Sequence, residues 1–261
     1  MTARSAPGRS TPGPAPTPVA APGRAGAIGR ALAHEWFALR SLRTPWVLCG
    51  SAVAAQVLVD LAVGRDGTSA LRQFADGMTG VTLIGFVLLA ALGVNALGGE
   101  YRHRTISRTV LTLGDRRAVL PAKAVLTGAV TASVAAVMVL VNALSVPVLG
   151  KTPLPVTEAV AMGGAAVVYA VLCALVGLAL AGITRNSTLS IALVVLWPVL
   201  LENLLVLTAG FGRRLAPFGA AAAQARAGDA SGPQWPLMLP LAVLTAALLT
   251  VAGVLFRRRD L

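Results

Sequence analysis

The sequence predicts an all-α integral membrane protein, with six transmembrane helices preceded by an N-terminal interfacial amphipathic helix. Hydrophobic residues make up 56% of the 261 residues, above the roughly 45–50% of soluble domains. They also occur in long blocks, and a helix needs about 20 residues to cross roughly 30 Å of hydrocarbon. Finally, Lys and Arg concentrate beside these blocks, as residues that set the orientation of a membrane protein do.

The chain begins with two segments that precede the first apolar block. Residues 1–26 are mostly Pro, Ala, Gly, Ser and Thr with scattered Arg, a composition that predicts a disordered cytoplasmic tail. Residues 27–45 are predicted to form a helix in the inner membrane interface, with Glu35 and Arg43 at the margins of its apolar side. A plain extension of the first span is the alternative. The apolar side consists of Ile28, Leu32, Trp36, Leu39 and Leu42.

Six apolar blocks predict six spans, and charge predicts their orientation. The spans lie near 46–63, 79–98, 123–148, 159–183, 187–209 and 236–256. With the amino end inside, sixteen of the 22 Lys and Arg residues fall in inner segments and six in outer ones. Because basic residues next to spans are retained inside, both termini of this multi-pass protein are predicted to be cytoplasmic, in the plasma membrane.

The segment between the second and third spans is the most polar part of the chain. This basic loop, residues 99–122 together with Lys123, carries six basic residues against the acids Glu100 and Asp115. Within it, Ile106, Val110 and Leu113 recur at spacings of four and three, which predicts a short amphipathic helix. The basic loop is therefore expected to be a structured cytoplasmic element that a partner grips.

Polar residues inside the predicted spans are few, and such residues call for a functional hypothesis. They are Gln56, Asp60, Asn95, Asn142, Glu202 and Asn203. Asp60 lies near the outer end of its span and is expected to reach water. Glu202 lies deeper, after Pro198, which can kink the helix. Both a role in a translocation path and pairing with Arg213 or Arg214 remain open for Glu202.

No catalytic or nucleotide-binding constellation emerges. Gly150-Lys151-Thr152 resembles the end of a phosphate-binding loop, but Ser145 stands where the upstream glycine is required. Neither histidine has HExxH spacing, and no metal site is expected. Cys49 and Cys173 lie in separate apolar blocks, as packing residues do. Nucleic-acid binding is disfavoured despite the net charge of +12, since the basic residues cluster at the ends of apolar blocks.

The basic loop resembles a known family. Its sequence GEYRHRTISRTVLTLGDRRAVLPAK is similar to the G-E-Y-R-x-G-T-[IL] … R … AK segment of type-2 ABC exporter permeases. The matching residues are Gly99 to His103, Thr105-Ile106 and Ala122-Lys123, while Arg104 stands where many relatives have glycine. The segment TRNSTLSIALVVLWPVLLENLL also resembles the fifth-span region of actinobacterial members. The resemblance covers roughly residues 28 to 261.

The resemblance implies a six-helix permease that exports a drug, peptide or lipid-like substrate. It would pair with a second protomer, either itself or a sister chain, and with cytoplasmic ATP-binding subunits. The chain itself would hold no cofactor, since ATP and Mg²⁺ would bind the partner. The basic loop would hold the coupling helix, whose expected contact residues are Glu100, Arg102, Ile106, Arg108, Val110, Leu113, Arg116 and Arg117. The expected path residues are Glu202, Asn203 and Asn142.

Two other classes are weighed against the transporter. An intramembrane enzyme would need catalytic groups facing each other across spans, and the polar inventory is thin. A membrane anchor or sensor would need a sizeable soluble domain, and the sequence offers only the tail.

Overall fold

The computed structural model describes residues 24–63, 69–78, 80–102, 116–150, 153–197 and 235–258, and within those ranges it is helical without strands. The α-helices are α1 Arg24–Ser41, α2 Arg43–Val63, α3 Ala70–Gly77, α4 Phe86–Arg102, α5 Arg116–Gly150, α6 Val156–Thr184, α7 Ser187–Leu196 and α8 Leu239–Arg258. A π-helical segment, Gly80–Gly85, joins α3 to α4, and a 3₁₀ turn, Trp235–Met238, precedes α8.

Five helical stretches among the described residues are long and apolar enough to cross a membrane. They are Arg43–Ala62, Ala70–Tyr101, Val119–Leu149, Val156–Thr184 and Leu239–Phe256. The prediction of a helical, multi-pass membrane protein is therefore confirmed. The predicted span 187–209 is described only as far as 197, and its described helix, Ser187–Leu196, is short. The sixth span stays a prediction.

The helical run that contains the predicted second span begins before it. Hydropathy starts the span at 79, whereas the helical run begins at Ala70 and extends over 32 residues. The polar-looking segment LRQFADG precedes the predicted span, and Phe74 and Met78 are fully buried. Burial of these large side chains against α2 and α5 holds the segment inside the bundle as α3. Helix α5, which contains the predicted third span 123–148, likewise begins before that span, at Arg116.

Helix α6 is the centre of the bundle and packs closely against α4. A Cβ placed on Gly93 would lie 1.9 Å from the carbonyl oxygen of Ala174, and one on Gly177 would lie 2.3 Å from that of Ala90. Glycine at these positions lets the two backbones touch, as small residues do between membrane helices. In the spans containing α4 and α6, 61% of the most apolar window is buried, against 22% in those of α2, α5 and α8. The latter three helices are peripheral.

The bundle has two ends, which are defined by where its helices begin and finish. Helix α1 packs against α5 at the end where α4 finishes and α5 begins, which we call the α1 end. The last turns of α8 also lie there, since a Cβ on Gly253 would meet Leu120 at 3.7 Å. The first and last described helices therefore share one end of the bundle.

A tight turn at the α1 end joins α6 to α7, where the sequence predicts a turn at Arg185. Arg185 is in the left-handed region (φ 54°) and ends α6. Its guanidinium carbon lies 5.6 Å from the centroid of the Tyr101 ring, a cation–π contact. The side chain of Asn186 caps α7 by accepting hydrogen bonds from the amides of Thr188 (3.0 Å) and Leu189 (3.2 Å).

Candidate functional site

Three ionised side chains from three helices meet at the α1 end. The Nζ of Lys123, at the start of the third span, donates to Glu35 Oε2 at 2.6 Å and to Glu100 Oε1 at 2.7 Å. Glu35 belongs to α1, Glu100 to the end of α4, and Lys123 to α5. Their side chains are 7%, 17% and 2% exposed, respectively. This ion triad joins α1 to both helices that flank the basic loop.

Burial sets the electrostatics of the ion triad. One ammonium serves two carboxylates here, and buried ions are tolerated only when paired and hydrogen-bonded. Burial raises the pKa of Glu35, with the ion pair to Lys123 opposing the shift. The second carboxylate oxygen, Oε1 of Glu35, is buried and accepts no hydrogen bond. The Nδ1 of His34 lies 4.0 Å from it, beyond hydrogen-bonding distance.

Helix α1 turns an acidic residue toward the bundle and leaves aromatic residues exposed. Glu35, predicted at the margin of the apolar side, is 6% exposed, whereas Trp36 is 43% and Leu42 57% exposed. Phe37 is also exposed. The bond between Lys123 and Glu35 stabilises this orientation, and the interfacial position of α1 stays a prediction.

A cavity of about 410 Å³ lies beside the ion triad, between α1 and the bundle. Its residues come from α1, the start of α2, α4, α5 and α7, and all three residues of the ion triad line it. The apolar part of the lining includes Leu39, Leu92 and Leu126. The lining residues Leu42 and Thr44, at the junction of α1 and α2, are exposed, so the cavity opens there.

A second polar group, the distal cluster, lies toward the opposite end. Gln56 Nε2 donates to Asp60 Oδ1 at 2.7 Å and to the carbonyl of Gly77 at 3.0 Å. Asn142 Nδ2 donates to the carbonyl of Phe74 at 2.9 Å. The distal cluster (Gln56, Asp60 and Asn142) thus ties α2 and α5 to the end of α3. The expectation that Asp60 reaches water was wrong, because Asp60 is 4% exposed and accepts the bond from Gln56.

The structure places some of the predicted site residues and not others. Of the predicted coupling residues, only the side chain of Glu100 is described, and it pairs with Lys123. The residues of the basic loop that lie outside the described part of the chain are Ile106, Arg108, Val110 and Leu113. For Arg102, Arg116 and Arg117 the structure describes the backbone but not the side chain.

The predicted path residues are also divided. Glu202 and Asn203 lie outside the described residues. Asn142 is 1% exposed and its amide is bonded to the Phe74 carbonyl, so it belongs to the distal cluster. In the part of the chain that the structure describes, no three His, Cys, Asp or Glu residues lie close enough to hold a metal ion.

Sequence reasoning missed two residues of the site, Glu35 and Lys123. A signal for them exists, because a lysine inside the first turns of an apolar helix needs an acidic partner. The chain has only ten acids, and few of them fall in predicted inner segments. Pairing Lys123 with Glu100, which lies at the other end of the basic loop, was within reach of the sequence; pairing it with Glu35, 88 residues away, was not.

No family model matches this chain, and no curated protein matches it either.

Proposed function

We propose that this chain is the permease subunit of an ATP-driven ABC exporter, which moves a drug, peptide or lipid-like substrate out through the plasma membrane. ATP hydrolysis takes place on a separate cytoplasmic ATP-binding subunit, and the chain works as a pair of protomers. Support comes from the resemblance of residues 99–123 to that family and from the span-length helices. The observation that carries the proposal is the ion triad at the base of the basic loop.

The ion triad gives the basic loop a mechanical connection to the spans. The chain leaves α4 after Arg102 and returns at Arg116, and the bond between Glu100 and Lys123 joins the two helices just inside those points. Glu35 adds α1 to the same lysine. A displacement of the basic loop by an ATP-binding subunit is therefore delivered to three helices together, as coupling requires.

The α1 end is the cytoplasmic end in this proposal, since the basic loop and most Lys and Arg residues belong to it. The exposed Trp36 and Phe37 of α1 then lie in the membrane interface, where aromatic side chains are favoured. A cysteine introduced at Ser69, which is exposed at the start of α3, should react with an impermeant maleimide on intact cells. One at Ser107 should react only after permeabilisation, and labelling of Ser107→Cys in intact cells would overturn the orientation.

The transport function is tested by whether an ATP-binding subunit co-purifies with the chain. An affinity-tagged chain, purified from its own membranes in mild detergent, should carry a stoichiometric ATP-binding subunit. Reconstituted into vesicles, that complex should hydrolyse ATP. A chain that is purified intact, and reproducibly without any ATP-binding subunit, would favour the anchor or sensor instead. The matched control is an unrelated multi-span protein carrying the same tag.

A further inference from the structure

The distal cluster contains a buried acid with few hydrogen-bond donors. Asp60 is 4% exposed and lies close to the end of α2 at Val63. Its Oδ1 accepts a hydrogen bond of 2.7 Å from Nε2 of Gln56, whereas its Oδ2 is buried and has no hydrogen-bond partner. An ionised carboxylate can accept about four hydrogen bonds. Burying one with a single donor leaves most of its charge uncompensated, which is costly.

No cation compensates Asp60 within the part of the chain that the structure describes. The elements packed against α2 are α3, the π-helical segment, α4 and α5. Arg72 and Asp76 of α3 are exposed, and neither forms an ion pair with Asp60, because the ion pairs among the described residues all lie at the α1 end. The remaining charged residues of α2 and of these elements also lie at the α1 end: Arg43, Glu100, Arg102, Arg116, Arg117 and Lys123.

The amide bonded to Asp60 is itself incompletely paired. Gln56 uses Nε2 for Asp60 and for the Gly77 carbonyl, but its Oε1 is buried without a donor. Nε2 of Gln73, on α3, is buried without a partner as well, and it makes no bond to Asp60. A proton on Oδ2 of Asp60 would remove the negative charge and turn an unpaired acceptor into a donor. A Cβ on Gly80 would collide with Oε1 of Gln56, so the surroundings are tightly filled, and a proton is a ligand that needs no added space.

We propose that Asp60 is a proton-binding site and that its carboxyl is neutral in the folded bundle, with the proton on Oδ2. The carboxylate and one proton from water form the neutral acid, and no other reactant is involved. Because a solvated aspartate ionises, the proton returns to water when α2 and α3 separate. Proton binding therefore favours the contact between α2 and α3. The site needs no nucleotide and no partner, so it stands independently of the transport function proposed above.

Infrared absorption measures the protonation state directly, since a carboxylic acid has a C=O stretching band that a carboxylate lacks. The full-length chain is measured in dodecyl maltoside, a detergent without a carbonyl group. The measurement is made at about pH 5.5, where a solvated aspartate, which titrates near about 3.9, is ionised. The spectrum of the wild type minus that of Asp60→Asn should contain the carboxylic-acid band. Asparagine keeps the shape of the side chain and an acceptor for Gln56, so the variant should fold.

The matched control is Asp76→Asn, which makes the same change at an exposed position of α3. Its difference spectrum should contain the bands of a carboxylate and no acid band. Burial also raises the pKa of Glu35, but Glu35 is present in both members of each pair and cancels. An Asp60 difference spectrum that matches the Asp76 difference spectrum would overturn the proposal.

A measurement on the wild type alone covers the case in which Asp60→Asn does not fold. Aspartate carrying a heavy carbon isotope in its side-chain carboxyl lowers the frequency of aspartic-acid bands and leaves those of glutamic acid unchanged. The folded, labelled chain at the same pH should show an isotope-shifted acid band, and this band should disappear on unfolding. Absence of a shifted acid band from the folded chain would overturn the proposal.

The partner of the neutral acid is tested with Gln56→Met, which keeps the length of the side chain but removes the donor. Hydrogen bonding lowers the frequency of a C=O band, so loss of the bond from Nε2 to Oδ1 should raise the frequency of the Asp60 acid band. An unchanged band position would contradict the pairing of a neutral Asp60 with Gln56.

Discussion

The two buried polar groups, at opposite ends of the same bundle, are built from different chemistry. The ion triad uses three formal charges contributed by three helices. The distal cluster uses the amides of Gln56 and Asn142 with the carboxyl group of Asp60, and each amide bonds a backbone carbonyl at the end of α3. Helix α3 stops at Gly77 and the π-helical segment starts at Gly80. The Phe74 carbonyl also accepts from the amide of Met78 at 3.1 Å, so Asn142 is its second donor.

The difference extends to the packing around each group. The distal amides tie α2 and α5 to backbone carbonyls beside a helix break, and their surroundings are tightly filled: Cβ atoms on Gly77 and Gly80 would collide with Asn142 and Gln56. The ion triad borders a cavity. Since apolar residues of similar size are often no more costly to bury than an ion pair, removing all three charges together should be tolerated better than removing one of them.

Removal of the central lysine should give the largest effect on stability. Lys123→Met removes the cation that Glu35 and Glu100 share, and loss of one partner from a buried ion pair costs about 3–5 kcal/mol. Thermal unfolding of the detergent-solubilised chain measures the loss. The triple variant Lys123→Met with Glu35→Gln and Glu100→Gln removes every charge and should recover most of it. A triple variant as unstable as Lys123→Met would show that the charges themselves do not set the cost.

Asn142→Leu should have a smaller effect. It removes the bond from Asn142 to the Phe74 carbonyl, which keeps the amide of Met78 as a donor, and loss of such a hydrogen bond costs about 0.5–1.5 kcal/mol. The matched control is Asn95→Leu, because Asn95 is part-buried and bonds only the Ala91 carbonyl of its own helix. Equal unfolding temperatures for the two leucine variants would remove the distinction between the distal cluster and an ordinary polar side chain.

The smallest expected effect is the pH dependence of the stability that Glu35 contributes. Its pKa is raised in the folded chain, so the stability it contributes is fully present below its unfolded value of about 4.5. That contribution is lost as pH rises through the folded pKa. The unfolding temperature of the wild type, relative to Glu35→Gln, should therefore increase as the pH falls from 7. Both are measured in a His34→Gln background, since His34 lies 4.0 Å from the carboxylate. A pH-independent difference would contradict the raised pKa.

Hydropathy predicted the helical membrane class because long apolar blocks need no knowledge of neighbours. It gave no sign of α3, where a short polar-looking segment is held by burial of Phe74 and Met78. Periodicity placed the apolar residues of α1 but gave no sign that Glu35 meets Lys123, a contact between residues far apart in sequence.

The sequence singled out some residues of the two polar groups but not their partners. The basic loop and Glu100 stand out by composition, and Asn142 stands out as an amide in an apolar block. Their roles differ because of partners distant in sequence: Glu100 meets Lys123, and Asn142 meets the Phe74 carbonyl. Spacing rules describe one helix at a time, so they do not predict contacts between residues of different helices.

The coupling role of the basic loop is tested most directly by recovery of the ATP-binding subunit with the tagged Val110→Asp chain. If Ile106, Val110 and Leu113 bury their apolar side against that subunit, an unpaired carboxylate there costs several kcal/mol. Thr112→Asp is the control, since at 3.6 residues per turn Thr112 falls on the opposite side. We expect both variants to insert normally, with the ATP-binding subunit lost only from Val110→Asp. Recovery of the subunit and of transport at wild-type levels with Val110→Asp would contradict the account.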